Sequence, residues 1–266
     1  MTRDPAGATA GLEAEAGSGE RQLVWSDEFD ASAGAPADPA VWTHEFGDGS
    51  LQGNPGWGNH ELQHYTDEPA NAAHDGRGNL VITARRTAAN GHSGFTSARL
   101  MTKGKLELTH GRIETRARVP RGAGLWPAFW ALGASFGDVP WPACGEIDVM
   151  EHVGREPRRV FGTIHGPGYS GDAGVSGALD LEYDLADDYH VFSIDWEPGS
   201  IVWALDGRPY HSASPADVAP NPWVFDGPFF LLLNLAVGGV FGGPVDERTA
   251  FPAELVVDHV RVFGRA

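Results

Sequence analysis

Between Trp141 and His152 the sequence WPACGEIDVMEH sets three carboxylates, Glu146, Asp148 and Glu151, into an otherwise apolar run. In an extended strand, residues two apart share a face. Glu146 and Asp148 then point the same way, and Glu151, five residues after Glu146, points the other way. One extra residue repairs the mismatch. A β-bulge at Val149-Met150 returns Glu151 to the face of the other two, and bulges are enriched beside active sites. Three acids on one face repel one another, so at least one should have a raised pKa and keep its proton near neutral pH, as a general acid must. At roughly 3.3 Å per residue the outer two Cα atoms stand about 13 Å apart, and two Glu side chains leaning together narrow the carboxyl gap to about 5–6 Å. That gap fits hydrolysis of a glycosidic bond with retention, although the wider spacing of an inverting pair is within reach of the same strand. Two plainer readings compete: a solvated strand face, against which the apolar flank of Ile147, Val149 and Trp141 speaks by marking a largely buried region, and a divalent-metal site.

Other residues could serve a sugar. There are nine tryptophans, and a sugar ring's apolar face stacks on an indole. In GLWPAFWALG, Trp126 and Trp130 lie four apart and share one strand face, either a cleft or the core. Trp196 and Trp203 alternate with apolar neighbours and belong to the core. The loop from Gly53 to Thr66, rich in Gly, Asn and aromatic groups, suits a flexible cleft rim, with Asn54 and Trp57 as its candidates; an ordinary surface turn is the alternative. His165, in the strand after the acidic one, would hydrogen-bond Glu151 or sugar hydroxyls if it faces the cleft, and is otherwise a satisfied histidine in the packing. Asn234 interrupts FFLLLNLAV and needs partners, local or in the cleft. Cys144, the single cysteine, permits no intramolecular disulfide and reads as a small buried hydrophobe. In the last strand, Asp258 falls on the face of Val256, Val260 and Val262, where an unpaired charge is prohibitive. An Arg or hydrogen-bond partner would answer it, and so would a Ca²⁺ held by hard oxygens.

The elements that must position these groups are strands. No sustained window shows the i, i+3, i+4, i+7 pattern of a helix, whereas short alternating runs bounded by Gly, Pro, Asn and Asp recur. The 36 glycines and 19 prolines among 266 residues supply the turns and exclude a helix bundle. Arg112 to Val119 alternates charged and apolar residues. His190 to Glu197, Pro198-Gly199, Ile201 to Leu205 and a turn at Asp206-Gly207 read as an antiparallel meander. Further strands are expected at Arg21 to Ser26, Leu80 to Arg85, Leu125 to Leu132, Glu146 to Glu151, Val160 to His165, Phe229 to Val237 and Leu255 to Phe263. Ten or more strands at this length imply an all-β sandwich of two antiparallel sheets. Residues 1–20, MTRDPAGATAGLEAEAGSGE, read as a disordered leader without a visible signal peptide, and residues 21–266 as a single domain. The longest apolar stretch is too short and too interrupted to span a membrane. The net charge of −17 repels nucleic acid, anionic membranes and sulfated polysaccharides, and suits a neutral ligand.

The motif GEIDVME resembles the active-site signature of glycoside hydrolase family 16, in the bulged form of laminarinase-type endo-β-1,3-glucanases. The likeness extends through VWSDEFD at 24–30, GWGNHELQHYT at 56–66, SARLMTKGK at 97–105, GLWPAFWALG at 124–133, GTIHGPGY at 162–169 and VDHVRVF at 257–263. It implies a β-jelly roll with a cleft on the concave sheet, Glu146 as nucleophile, Glu151 as general acid/base and Asp148 as the helper between them, with no cofactor in the chemistry. It also implies that Trp126 and Trp130 line the cleft, that Asn54 and Trp57 shape its rim, that Arg99 is a polar cleft residue, with an exposed surface arginine as the alternative, and that a structural Ca²⁺ on the convex face is held by Glu28, the Gly78 carbonyl and Asp258. The expectation is a secreted, monomeric, retaining endo-β-1,3-glucanase acting on neutral β-glucan. The rivals are a mixed-linkage β-1,3-1,4-glucanase, whose lichenase-type members usually lack the residue that Met150 adds, a galactan hydrolase of the same family, and a non-catalytic glucan-binding module, which tends to lose the acids.

Overall fold

The computed structural model describes residues 21–87 and 94–265, so the expected leader lies outside the described residues. Among the described residues two sheets form. The ten-stranded sheet runs Arg208–Ala213, Ser200–Leu205, His190–Glu197, Gly111–Arg118, Ala253–Arg265, Leu80–Arg86, Phe95–Ser97 and Gln63–Tyr65, with Arg21–Asp27 added on Ala253–Arg265 and Ala72–His74 on Leu80–Arg86. The eight-stranded sheet runs Val175–Asp180, Arg159–His165, Glu146–Glu151, Leu125–Gly133, Phe229–Val237, Arg99–Met101 and Thr43–His44, with Glu107–Leu108 also on Phe229–Val237. Pairing is antiparallel apart from Gln63–Tyr65 against Phe95–Ser97. This is the expected β-jelly-roll sandwich.

Strand alternation builds the two faces of the eight-stranded sheet. Along Phe229–Val237, residues Phe229, Leu231, Leu233, Leu235 and Val237 enter the core between the sheets, where they meet Trp196, Trp203, Ile194 and Phe192 of the opposite sheet. Phe230 and Leu232 turn the other way, into a smaller apolar cluster with Leu132 and Cys144. Trp196 and Trp203 are fully buried, and Cys144 is a small buried hydrophobe, as their neighbours suggest.

The acidic strand contains the expected bulge. Phe129 pairs with Met150 and Trp130 with Asp148, so Val149 is the extra residue on that side; across the other edge Asp148 pairs with Thr163 and Glu151 with Phe161. Val149 and Met150 are both buried in the core, which anchors the bulge. The Trp203 indole, from the opposite sheet, donates Nε1–H to the Asp148 carbonyl at 2.7 Å. Gly162 stands opposite the bulge, where a Cβ would overlap the Trp203 ring.

A second bulge changes the reading of the last strand. The register against Gly111–Arg118 shifts between Val257 and His259, which takes Asp258 out of the valine row. Its side chain is 33% exposed, accepts a hydrogen bond from Arg116 Nη1 at 2.6 Å, and lies 2.7 Å from His259 Nδ1. The isolated buried carboxylate that alternation suggests is therefore absent, and an arginine partner answers the charge. Glu28 is likewise gripped by Arg261 through both oxygens, at 2.9 and 2.8 Å, and these hydrogen bonds hold its carboxyl below the usual range.

Replacing Gly162 by Ala should force the Trp203 ring off the bulge and lower stability by about 1–3 kcal/mol, the usual cost of overpacking. Urea unfolding measures this, and an unchanged midpoint would show that the indole has room to move.

Candidate active site

The bulge sends Ile147, Val149 and Met150 into the core and leaves Glu146, Asp148 and Glu151 together on the opposite face. Directly paired residues of neighbouring antiparallel strands share a face, so the register identifies the rest of the surface. Glu146 is opposite His165 and Leu132, Asp148 opposite Trp130 and Thr163, and Glu151 opposite Ala128, which in turn faces Asn234; Asn234 faces Arg99. Trp126, two residues before Ala128, completes the row. Of the ten expected catalytic and sugar-binding residues, eight converge here.

Each outer acid is held by an indole. Trp126 donates Nε1–H to Glu151 Oε1 at 3.0 Å, and Trp141 donates to Glu146 Oε2 at 2.6 Å. Trp141 is 44% exposed, so it does not mark a buried flank as its apolar character suggested; it is a lid on the nucleophile candidate. The His165 imidazole faces the cleft and lies beside Asp148, with Nε2 3.2 Å from Oδ2, rather than on Glu151, one of the two partners the sequence offered.

Burial raises all three acids. Burial first, then the Asp148 charge, pushes the Glu146 carboxyl up to about 8 against the pull of His165, and burial takes Asp148 up to about 7. Glu151 is raised well above its ordinary value by burial and then by Asp148, which is the condition for an acid that carries its proton at neutral pH.

The sugar-facing residues form a braced set. Asn234 accepts from Trp130 Nε1 at 2.7 Å and donates to the Tyr65 hydroxyl at 3.1 Å, so it both faces the cleft and satisfies its amide. Tyr65 donates its hydroxyl to Glu61 Oε2, which also accepts from Gln63 at 2.7 Å. Arg99 is not a surface residue: its guanidinium is wedged between Trp57 and Trp130, 4.5 and 4.8 Å from their ring centroids, and paired with Glu45 at 2.5 Å. Trp57 is accordingly buried behind that wedge, with Tyr65 at its other side, instead of standing open on the rim. Asn54 stays exposed, with its side chain against Gly58. Glu45, Glu61, Tyr65 and Trp141 escaped the sequence reading. The alternation of Glu61, Gln63 and Tyr65 was the available signal for one polar face; Trp141 gave none, because its reach to Glu146 depends on the turn between them.

The sequence matches the model described as Glycosyl hydrolases family 16 over residues 59–256. It is 45% identical over 253 residues to a "Beta-glucanase" of Rhodothermus marinus, covering 91% of this chain and 85% of that protein. Identity to a "Glucan endo-1,3-beta-glucosidase" of Cryptopygus antarcticus is 41% over 237 residues, 83% of this chain and 82% of the relative. The laminarinase catalytic domain of Thermotoga maritima MSB8 superposes with a TM-score of 0.88 at 47% identity, covering 93% of this chain and 99% of that domain. Bulged acidic strand, double-sheet architecture and sequence likeness agree along most of the chain, which belongs to family 16 of the glycosyl hydrolases.

Proposed function

We infer that the protein is an endo-β-1,3-glucanase that cleaves neutral, laminarin-like β-glucan by double displacement. The observation that carries this is the alignment of Glu146, Asp148 and Glu151 on one open sheet face, with an indole N–H on each outer carboxyl. The relatives are a beta-glucanase, a glucan endo-1,3-beta-glucosidase and a laminarinase, which supports the linkage.

In the first step a Glu146 oxygen attacks the anomeric carbon while Glu151 gives its proton to the departing glycosidic oxygen, leaving a glycosyl-enzyme ester. Glu151, now a carboxylate, takes a proton from water. The water oxygen attacks the same carbon from the opposite side to Glu146, which leaves as a carboxylate. Asp148 keeps Glu151 protonated through its charge. The indole N–H on Glu146 fixes the attacking oxygen and limits its rotation. Trp130, locked through Asn234, presents a flat apolar surface beside the acids for a sugar ring. A polymeric substrate is met outside the cell by a single chain that carries every catalytic group, which favours a secreted monomer.

At Glu28, Gly78 and Asp258 the available donors are two carboxylates and a backbone carbonyl, the hard oxygens that Ca²⁺ takes. They fit such an ion chemically, yet each carboxylate already has an arginine, so its role would be to fasten the first and last strands rather than to cancel a buried charge. It would take no part in the reaction.

Four sets of measurements test this reading. Purified protein should release reducing ends from laminarin far faster than from lichenan, agarose or carrageenan, and Glu146→Gln should lower the rate on the order of a thousandfold or more. With Glu151→Ala and an activated aryl glycoside, azide should yield a β-glycosyl azide; an α-product would mean inversion. Asp148→Asn removes the charge that raises both glutamates, so both limbs of the kcat/KM profile should move to lower pH, and limbs that stay in place would contradict the electrostatic assignment. Chelation should lower the melting temperature while leaving kcat at 25 °C unchanged, whereas an unaltered melting curve would count against the ion.

A further inference from the structure

We propose that Glu146, Asp148 and His165 bind a borderline divalent cation of the zinc class, and that this ion inhibits the enzyme by occupying the nucleophile. Among the described residues these three offer one ligand atom each, all within 4.8 Å of one another. The second observation is an orphan. Asp148 is only 3% exposed, yet its Oδ2 has no hydrogen-bond donor and points at His165 Nε2, 3.2 Å away. The other imidazole nitrogen, Nδ1, is also without a partner, so no hydrogen bond obliges Nε2 to carry the proton, and it can offer a lone pair.

The donor set selects the ion. One imidazole nitrogen with two carboxylates suits Zn²⁺ or Co²⁺, whereas Ca²⁺ and Mg²⁺ prefer oxygen alone. Three protein ligands leave a fourth position for water, and the exposure of Trp141 shows that the face is open to solvent. The ligands are also braced from behind. Trp141 holds Glu146, and Trp203 holds the Asp148 backbone, which fixes two of the three before any ion arrives. Glu151 is not in the set; it turns to Trp126. An ion here engages the lone pairs that Glu146 needs for attack and stands where the sugar must enter. The inhibitory consequence rests on the nucleophile reading above, while the binding itself does not.

The test uses the full chain saturated with Ca²⁺, so that oxygen-only sites are filled. Calorimetric titration with Zn²⁺ should show one equivalent bound, and Co²⁺ should give the visible absorption of a low-coordinate N,O site. His165→Gln, shown to fold by an unchanged melting curve, should bind Zn²⁺ about tenfold or more weakly. If that variant fails to fold, paramagnetic shifting of the His165 ring protons by Co²⁺ in the unaltered protein reads the same contact. Zn²⁺ should inhibit laminarin hydrolysis competitively. Affinity indifferent to His165, unshifted ring protons, or a filled site that leaves hydrolysis untouched would overturn the proposal. A protein that binds one Zn²⁺ through His165 but does not cut laminarin would instead refute the function.

Discussion

The site depends on one irregularity, a single extra residue in a strand. Without it, Glu151 would point into the core, where burying an ionised carboxylate is prohibitive, and the two outer acids could not act on one bond. The structure secures the irregularity from three sides. Val149 and Met150 are driven into the core by their own apolar character, Trp203 reaches across from the other sheet to the Asp148 carbonyl, and Gly162 vacates the space that this indole needs. Local sequence chooses where the strand bulges, and packing from a distant element keeps the bulge in place.

Gathering three acids on a half-covered surface works against stability. Their folded pKa values are raised, so the stability they contribute is fully present below the ordinary carboxylate range and is lost as pH rises through the elevated values. The sheet offsets this with partial measures. Trp126 and Trp141 donate to the outer pair, and His165 stands beside the middle one. None of these neutralises the cluster, and the residual repulsion is what the proposed proton donor, Glu151, needs to hold its proton.

Much of this was legible in the sequence because it follows from parity. Counting by twos along WPACGEIDVMEH locates the bulge, and the same count assigns Trp196 and Trp203 to the core and Trp126 and Trp130 to one face. The same rule misled at Asp258, because a bulge between Val257 and His259 carries no charge mismatch to announce it. Partnerships between distant segments were illegible for a different reason. Arg99 lies 54 residues from Glu45, and Asn234 lies 169 from Tyr65, and neither spacing has any period. The expected His165 contact erred by one partner for the same cause: its strand was right, but which acid it meets is set by register.

The indole bond to Asp148 joins residues 55 apart and crosses from one sheet to the other. Neither sheet can hold the acidic strand in its working shape alone. Hydrolysis is therefore a reporter of how the two layers come together: refolding that restores strand content without this cross-layer clasp regains the circular-dichroism signal of the native protein before it regains turnover.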